Sequence, residues 1–154
     1  MSHTPLKDRT VLITGGAGFL GAHIARKLAA AGANLVIQDT SLKRRYFLDP
    51  ILDSGCGSFI RSDLASGGIA RIREVLDQID LILHLSLKIP SIKAATLDDY
   101  LEANLHPLKQ LLEICPSSVQ GFCLASSAQV YRSSTALPIP EGSTITPSTP
   151  YGQM

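Results

Sequence analysis

Hydrophobic positions in this chain come in short bursts, each closed by glycine or by charged residues. "TVLIT" at 10–14 is a β-branched run ending directly on glycines, which predicts a buried strand. "FLGAHIARKLAAAG" at 19–32 is alanine-rich. Its Leu20, Ile24 and Leu28 recur every four positions, so a helix with one apolar face is expected, stopped at Gly32. "NLVIQD" at 34–39 reads as a second strand and closes a βαβ unit.

The alternation then repeats. "LKRRYFLDPIL" predicts a short helix broken near Pro50, "GSFIRSD" at 57–63 a third strand, and "GIARIREVLDQI" at 68–79 a helix. "DLILHLS" at 80–86 is almost continuously apolar, as a strand covered on both faces should be. A helix over 98–115 with a bend at Pro107 and a fifth strand over 119–127 follow. Residues 132–150 carry four of the nine prolines and no periodicity, so they read as loop. Alternating β and α elements imply an α/β fold, a doubly wound parallel sheet of the NAD(P)-binding Rossmann type, ending after about five strands.

Composition narrows the class. The 154 residues suffice for one domain, with 45% hydrophobic and 18% charged residues, as in a folded globular protein. A formal net charge of +1 gives no reason to expect nucleic acid. No apolar run approaches a membrane span and no signal sequence opens the chain, so no membrane partner and a cytoplasmic location are expected. Cys56, Cys115 and Cys123 lack metal or redox spacing and read as reduced, mostly buried thiols. His3, His23, His84 and His106 form no metal pattern, and no metal is expected.

The chemistry starts at "TGGAGFLG", 14–21, between the first strand and the first helix. Gly15, Gly18 and Gly21 fall at G-x-x-G-x-x-G spacing. Positions without side chains let the backbone turn tightly and approach a pyrophosphate, with helix N-terminal amides facing the anion. Asp39 ends the second strand, where a carboxylate accepts from both ribose hydroxyls of an adenosine and repels a 2′-phosphate. NAD is therefore expected ahead of NADP, although Lys43, Arg44 and Arg45 follow closely and could supply phosphate partners. The competing reading of Asp39 is a cap for the following turn.

Taken with "SDL" at 62–64, "HLS" at 84–86, Asn104, "SSAQVY" at 126–131 and "PYG" at 150–152, these motifs occur in one order over nearly the whole chain. Together they resemble the N-terminal half of the extended short-chain dehydrogenases/reductases, the NAD-dependent epimerase/dehydratase family. That family includes nucleotide-sugar 4-epimerases and 4,6-dehydratases. The resemblance implies that Gly15, Gly18, Phe19, Leu20 and Gly21 meet the cofactor's pyrophosphate and that Asp39 binds the adenosine ribose. Asp63 and Leu64 would flank the adenine, the carboxylate accepting from its exocyclic amine, and Leu85, Ser86 and Leu87 would pass under the cofactor's centre. Asn104 would orient active-site groups. Ser127 would hold the reacting substrate oxygen, and Tyr151 would be the general acid/base. Leu87 stands where the family usually has a small residue, and Arg132 where it has glycine; "NLHPLK" departs from the usual sequence after Asn104. His84 is read as a hydrogen-bonded core residue.

The family pattern is Tyr-x-x-x-Lys, and its lysine would fall one residue beyond Met154. A free tyrosine has a pKa near 10, so making it a base near neutrality takes about 4 kcal/mol of differential stabilisation, which an ammonium and the cofactor's positive ring help supply. The chain is thus expected to be the cofactor-binding part of a longer enzyme, with little activity alone; a naturally short chain is the alternative. The substrate domain would be absent. The intact enzyme would be an epimerase/dehydratase acting on a small molecule, a nucleotide-sugar first, and a possible homodimer. Two rivals are a non-catalytic NAD(P)-sensing or scaffolding module, and a related dehydrogenase acting on a steroid, an aldehyde or a sugar acid.

Overall fold

The computed structural model describes residues 6–42, 44–90, 95–131 and 137–154, and of Arg45 the backbone alone. Lys43, the side chain of Arg45, and Arg132 therefore lie outside the described residues. Five strands, β1 (Thr10–Thr14), β2 (Asn34–Asp39), β3 (Gly57–Arg61), β4 (Leu81–His84) and β5 (Gly121–Leu124), form one parallel sheet in the order β3-β2-β1-β4-β5.

Side-chain alternation along β1 builds the two faces. Val11 and Ile13 point to one side, packed with Leu35 and Ile37 of β2 under helices α1 (Phe19–Ala30) and α2 (Arg45–Asp53). Leu12 points to the other, against Val36, Ile82 and Leu111, with Ile69 and Ile72 of α3 (Ile69–Arg73). Each fully buried side chain of Leu12's size stabilises the fold by roughly 1.5–3 kcal/mol. At the base of the sheet, Asp80 accepts from the Thr10 amide and from Arg9, both at 2.8 Å, joining the starts of β1 and β4.

Several elements differ from the sequence reading. In α1 the buried stripe is Gly21, Ala22 and Ala25, because small residues let the helix lie close to the sheet; Leu20 is 54% exposed. Pro50 sits inside α2 without ending it. The third strand stops at Arg61, and residues 62–63 lead into a short 3₁₀ turn, Leu64–Ser66. The helix expected over 68–79 is split into α3 and a 3₁₀ turn, Leu76–Gln78. Only one face of β4 is fully covered: Ile82 and His84 are buried, whereas Leu81 and Leu83 border an apolar groove of about 320 Å³ that runs under β5. The fifth strand is four residues long, and Leu124 on it is half exposed. The thiols are not mostly buried: Cys56 and Cys123 are exposed and Cys115 is intermediate, because Cys56 lies in a turn and Cys123 on the edge strand.

The bend expected at Pro107 takes a specific form. Thr96 caps α4 (Leu97–Tyr100), its hydroxyl accepting from the Asp99 amide while the Asp99 carboxylate accepts from the Thr96 amide. The backbone then widens into a π-helical turn, Leu101–Leu105, before α5 (His106–Ile114) restarts with Pro107 in its first turn. A proline there costs no hydrogen bond within α5, and the irregularity is taken up by the turn before it. That turn carries Asn104.

Among the described residues, no helix is long and apolar enough to cross a membrane, and no group of three or more His, Cys, Asp or Glu side chains could hold a metal ion.

Candidate functional site

At the C-terminal ends of β1, β2 and β4, where connections leave β1's two sides in opposite directions, the sheet opens into a cleft of about 490 Å³. This is where open α/β sheets hold ligands. The glycine turn forms one wall. Gly15 has φ +67°, and a Cβ there would lie 2.8 Å from the Ser86 nitrogen and 2.9 Å from the Leu85 carbonyl. Glycine is thus required both by conformation and by the close approach of the loop after β4. A Cβ on Gly21 would come within 2.6 Å of the Gly15 oxygen, so this residue lets α1 seat against the turn. No side chain caps α1 at Gly18, and its first amides have no intrahelical partner.

The end of β2 is tied to this turn. The Asp39 carboxylate accepts from the Ala17 amide at 3.0 Å and from the Thr40 amide at 2.7 Å. Asp39 thus caps the following turn, as the competing reading has it, and it also lines the cleft. Arg44, weighed as a phosphate partner, stacks its guanidinium 5.5 Å over the Phe19 ring and is not among the residues lining the cleft.

Asp63, Leu64, Leu85, Ser86, Leu87 and Asn104 also line the cleft. Phe19 and Leu20 do not line it; their side chains are 67% and 54% exposed at the start of α1, leaving their amides as what they can offer an anion. Asp63 accepts from the Ala65 amide at 3.0 Å and from the Lys88 ammonium at 3.0 Å. Asn104 accepts from the Lys88 amide at 2.7 Å and donates to the Lys88 carbonyl at 2.9 Å and the Tyr100 carbonyl at 3.0 Å.

A second cleft of about 220 Å³ adjoins the first and shares His84, Leu85, Ser86, Leu87 and Asn104 with it. Its far wall contains Ser127 and Tyr151. Local sequence brings these two hydroxyl residues to one place. Ser127 caps the 3₁₀ turn Ala128–Val130, accepting from the Gln129 amide at 3.2 Å. Thr149 caps α6 (Pro150–Gln153), accepting from the Gly152 amide at 3.1 Å, and donates its hydroxyl proton to Gln129 Oε1 at 3.0 Å. Tyr151 is thereby held on the first turn of α6, with its ring edge-on to Tyr100 at 5.9 Å between centroids.

His84 sits between the clefts, 5% exposed, with Nδ1 2.8 Å from the Thr14 hydroxyl. Burial pulls its pKa from 6.5 to about 4, so the ring is neutral at physiological pH. This is the hydrogen-bonded core histidine read from the sequence.

The sequence pattern of the NAD dependent epimerase/dehydratase family matches residues 11–154. The chain belongs to this family. It is 30% identical to an uncharacterized UDP-glucose epimerase, YtcB, of Bacillus subtilis, over 92% of this chain and 47% of that protein. Identity to a UDP-glucose 4-epimerase of Azospirillum brasilense is 28%, over 92% of this chain and 40% of that one. Among solved structures, the UDP-Glc/GlcNAc 4-epimerase of Campylobacter jejuni superposes with a TM-score of 0.78 at 23% identity, over 94% of this chain and 45% of that one. The UDP-glucose-4-epimerase of Stenotrophomonas maltophila, solved with bound NAD and formylated UDP-arabinopyranose, gives 0.77 at 26% identity, over 94% and 45%. The chain spans about half the length of the curated relatives it matches.

Sequence reasoning missed two residues that line this family member's cleft and one buried beneath it. Lys88 bridges to Asp63, although a cation directly after "HLSL" was the available signal. Gln38 is buried at the end of β2 and donates to the Ser62 carbonyl at 2.7 Å, fixing the segment that carries Asp63. Thr14 lies fully buried behind the cleft, and its role as partner to His84 has no signature in the sequence.

Proposed function

We propose that this chain is the NAD-binding part of an epimerase/dehydratase acting on a nucleotide-sugar, with UDP-sugars the first class to test. One observation carries this reading. The two clefts share a wall, so a dinucleotide lying along Gly15, Gly18, Asp39 and Asp63 would extend directly toward Ser127 and Tyr151. The residues present fit such a group: a turn whose glycines cannot carry a Cβ, an uncapped helix N-terminus for a pyrophosphate, and a carboxylate at the end of β2 for ribose hydroxyls.

NAD held there would supply hydride-transfer chemistry. Asp39 binds the adenosine ribose and disfavours a 2′-phosphate, and Asp63 accepts from adenine's exocyclic amine. Leu85, Ser86 and Leu87 support the middle of the cofactor. The Ser127 hydroxyl holds the substrate oxygen, and Tyr151 takes its proton as the phenolate and returns it as the phenol. Asn104 acts through the loop it holds. For the 154 residues by themselves we infer cofactor binding with little turnover, since the family's pattern places a lysine four residues after the tyrosine.

Mapping amide resonances of the labelled chain during addition of NAD⁺ tests the reading. Shifts concentrated at Gly15–Gly21, Asp39, Asp63 and Leu85–Leu87 support it; shifts elsewhere, or none, refute it. Rapid conversion of a UDP-hexose by the same chain would refute the inference of low turnover while leaving the binding site in place.

A further inference from the structure

Among the described residues lining the larger cleft, Asp39 and Asp63 are carboxylates and Lys88 is the one ammonium or guanidinium. Lys88 is held at both ends. Asn104 pairs with its backbone amide and carbonyl at 2.7 and 2.9 Å, and its Nζ meets Asp63 Oδ2 at 3.0 Å. The ion pair thus joins the segment after β3 to the segment after β4. The other oxygen of Asp63 is held by the Ala65 amide at 3.0 Å. Both carboxylate oxygens are therefore oriented, and each retains a further acceptor direction, since a carboxylate offers about four.

We propose that Lys88 is a positioning residue for nucleobase selection: carried on a backbone clamped by Asn104, its ammonium aims the Asp63 carboxylate at an exocyclic amine on the base. This rests on the dinucleotide reading above. The same charge has a second effect. A pyrophosphate brings two negative charges into a cleft that already holds two carboxylates, and the ammonium offsets part of that repulsion. Both effects weaken as salt screens the exposed pair.

The test compares NAD⁺ with its hypoxanthine counterpart, in which a carbonyl oxygen replaces the 6-amino group. A carboxylate accepts from the amine and repels the carbonyl. Affinities are measured by calorimetry for the wild-type chain, Lys88→Met and Lys88→Arg. The wild type should prefer NAD⁺ by about tenfold, the size expected for a hydrogen bond to a charged group. Lys88→Met should weaken NAD⁺ binding by about threefold, as loss of an exposed charge pair allows, and should shrink the preference between the two bases. Lys88→Arg should retain both. A Lys88 that merely braces the fold would change melting and leave the preference unchanged.

Wild-type preference for NAD⁺ that persists undiminished in Lys88→Met overturns this inference and leaves the dinucleotide reading standing. Equal binding of both compounds by the wild type also overturns it, because Asp63 then does not read the amine. Binding of neither compound overturns the dinucleotide reading and this inference with it.

Discussion

Asn104 grips Lys88 by both of its backbone polar groups, accepting from the amide at 2.7 Å and donating to the carbonyl at 2.9 Å. A side-chain amide used this way substitutes for a neighbouring strand, and it stitches the π-helical turn at Leu101–Leu105 to the loop following β4. Asn104 therefore shapes the wall shared by the two clefts. Asn104→Ala should cost about 1 kcal/mol in urea unfolding, because water can reach the freed Lys88 groups. Asn104→Asp should cost at least as much, since it turns a carboxylate oxygen toward the Lys88 and Tyr100 carbonyls.

Two glycines with the same backbone strain should separate folding from binding. Gly15 and Gly55 have φ of +67° and +77°, so alanine at either is strained by roughly 1–2 kcal/mol. A Cβ at Gly55 meets nothing within 4 Å, whereas at Gly15 it presses on the backbone of Leu85 and Ser86. Gly55→Ala should lower stability and leave NAD⁺ affinity unchanged. Gly15→Ala should abolish measurable NAD⁺ binding in a calorimetric titration.

Stability should fall as the medium is acidified past the ordinary histidine range. His84 has a folded pKa of about 4 against 6.5 when free, because burial penalises its charged form. The unfolded chain therefore binds the extra proton first: His84's contribution is intact above pH 6.5 and is lost as pH drops toward 4. The loss amounts to about 3 kcal/mol. Urea unfolding across this window should show the slope in the wild type and a flatter one in His84→Phe. Asp80, held below the usual carboxylate range by the Thr10 amide and by Arg9, acts at lower pH: its share is present above its unfolded pKa of about 3.8 and is lost as pH falls through its depressed folded value.

Cofactor choice should respond to Asp39. Its carboxylate is fixed by the Ala17 and Thr40 amides, so it cannot swing away from a 2′-phosphate. Asp39→Asn should bind NAD⁺ more weakly and narrow the gap to NADP⁺, read as the ratio of the two dissociation constants.

The alternation of short apolar runs and alanine-rich helix was enough to reach the parallel sheet, and the spacing of Gly15, Gly18 and Gly21 located its cleft. Periodicity erred where tertiary packing decides. Leu20 looked like a core position in α1, yet Ala22 and Ala25 are buried because the helix runs close to the sheet. Cys123 and Leu81 looked buried on hydrophobicity alone, but the sheet's edge near β5 leaves their side of the sheet only partly covered. Tyr151 and Ser127 could be singled out by pattern, whereas the contact between Thr149 and Gln129 that joins their segments has no signature in the sequence. Lys88 carried a signal, as a cation directly after "HLSL", but its partner Asp63, 25 positions away, is brought to it by the fold.

The most direct test is calorimetric titration of the 154-residue chain with NAD⁺ and, separately, with NADP⁺. Saturable one-site binding of NAD⁺, tighter than that of NADP⁺ and accompanied by a higher melting temperature, is the predicted result. A chain that melts cooperatively yet binds neither dinucleotide, or that prefers NADP⁺, would contradict the assignment of the cleft to NAD.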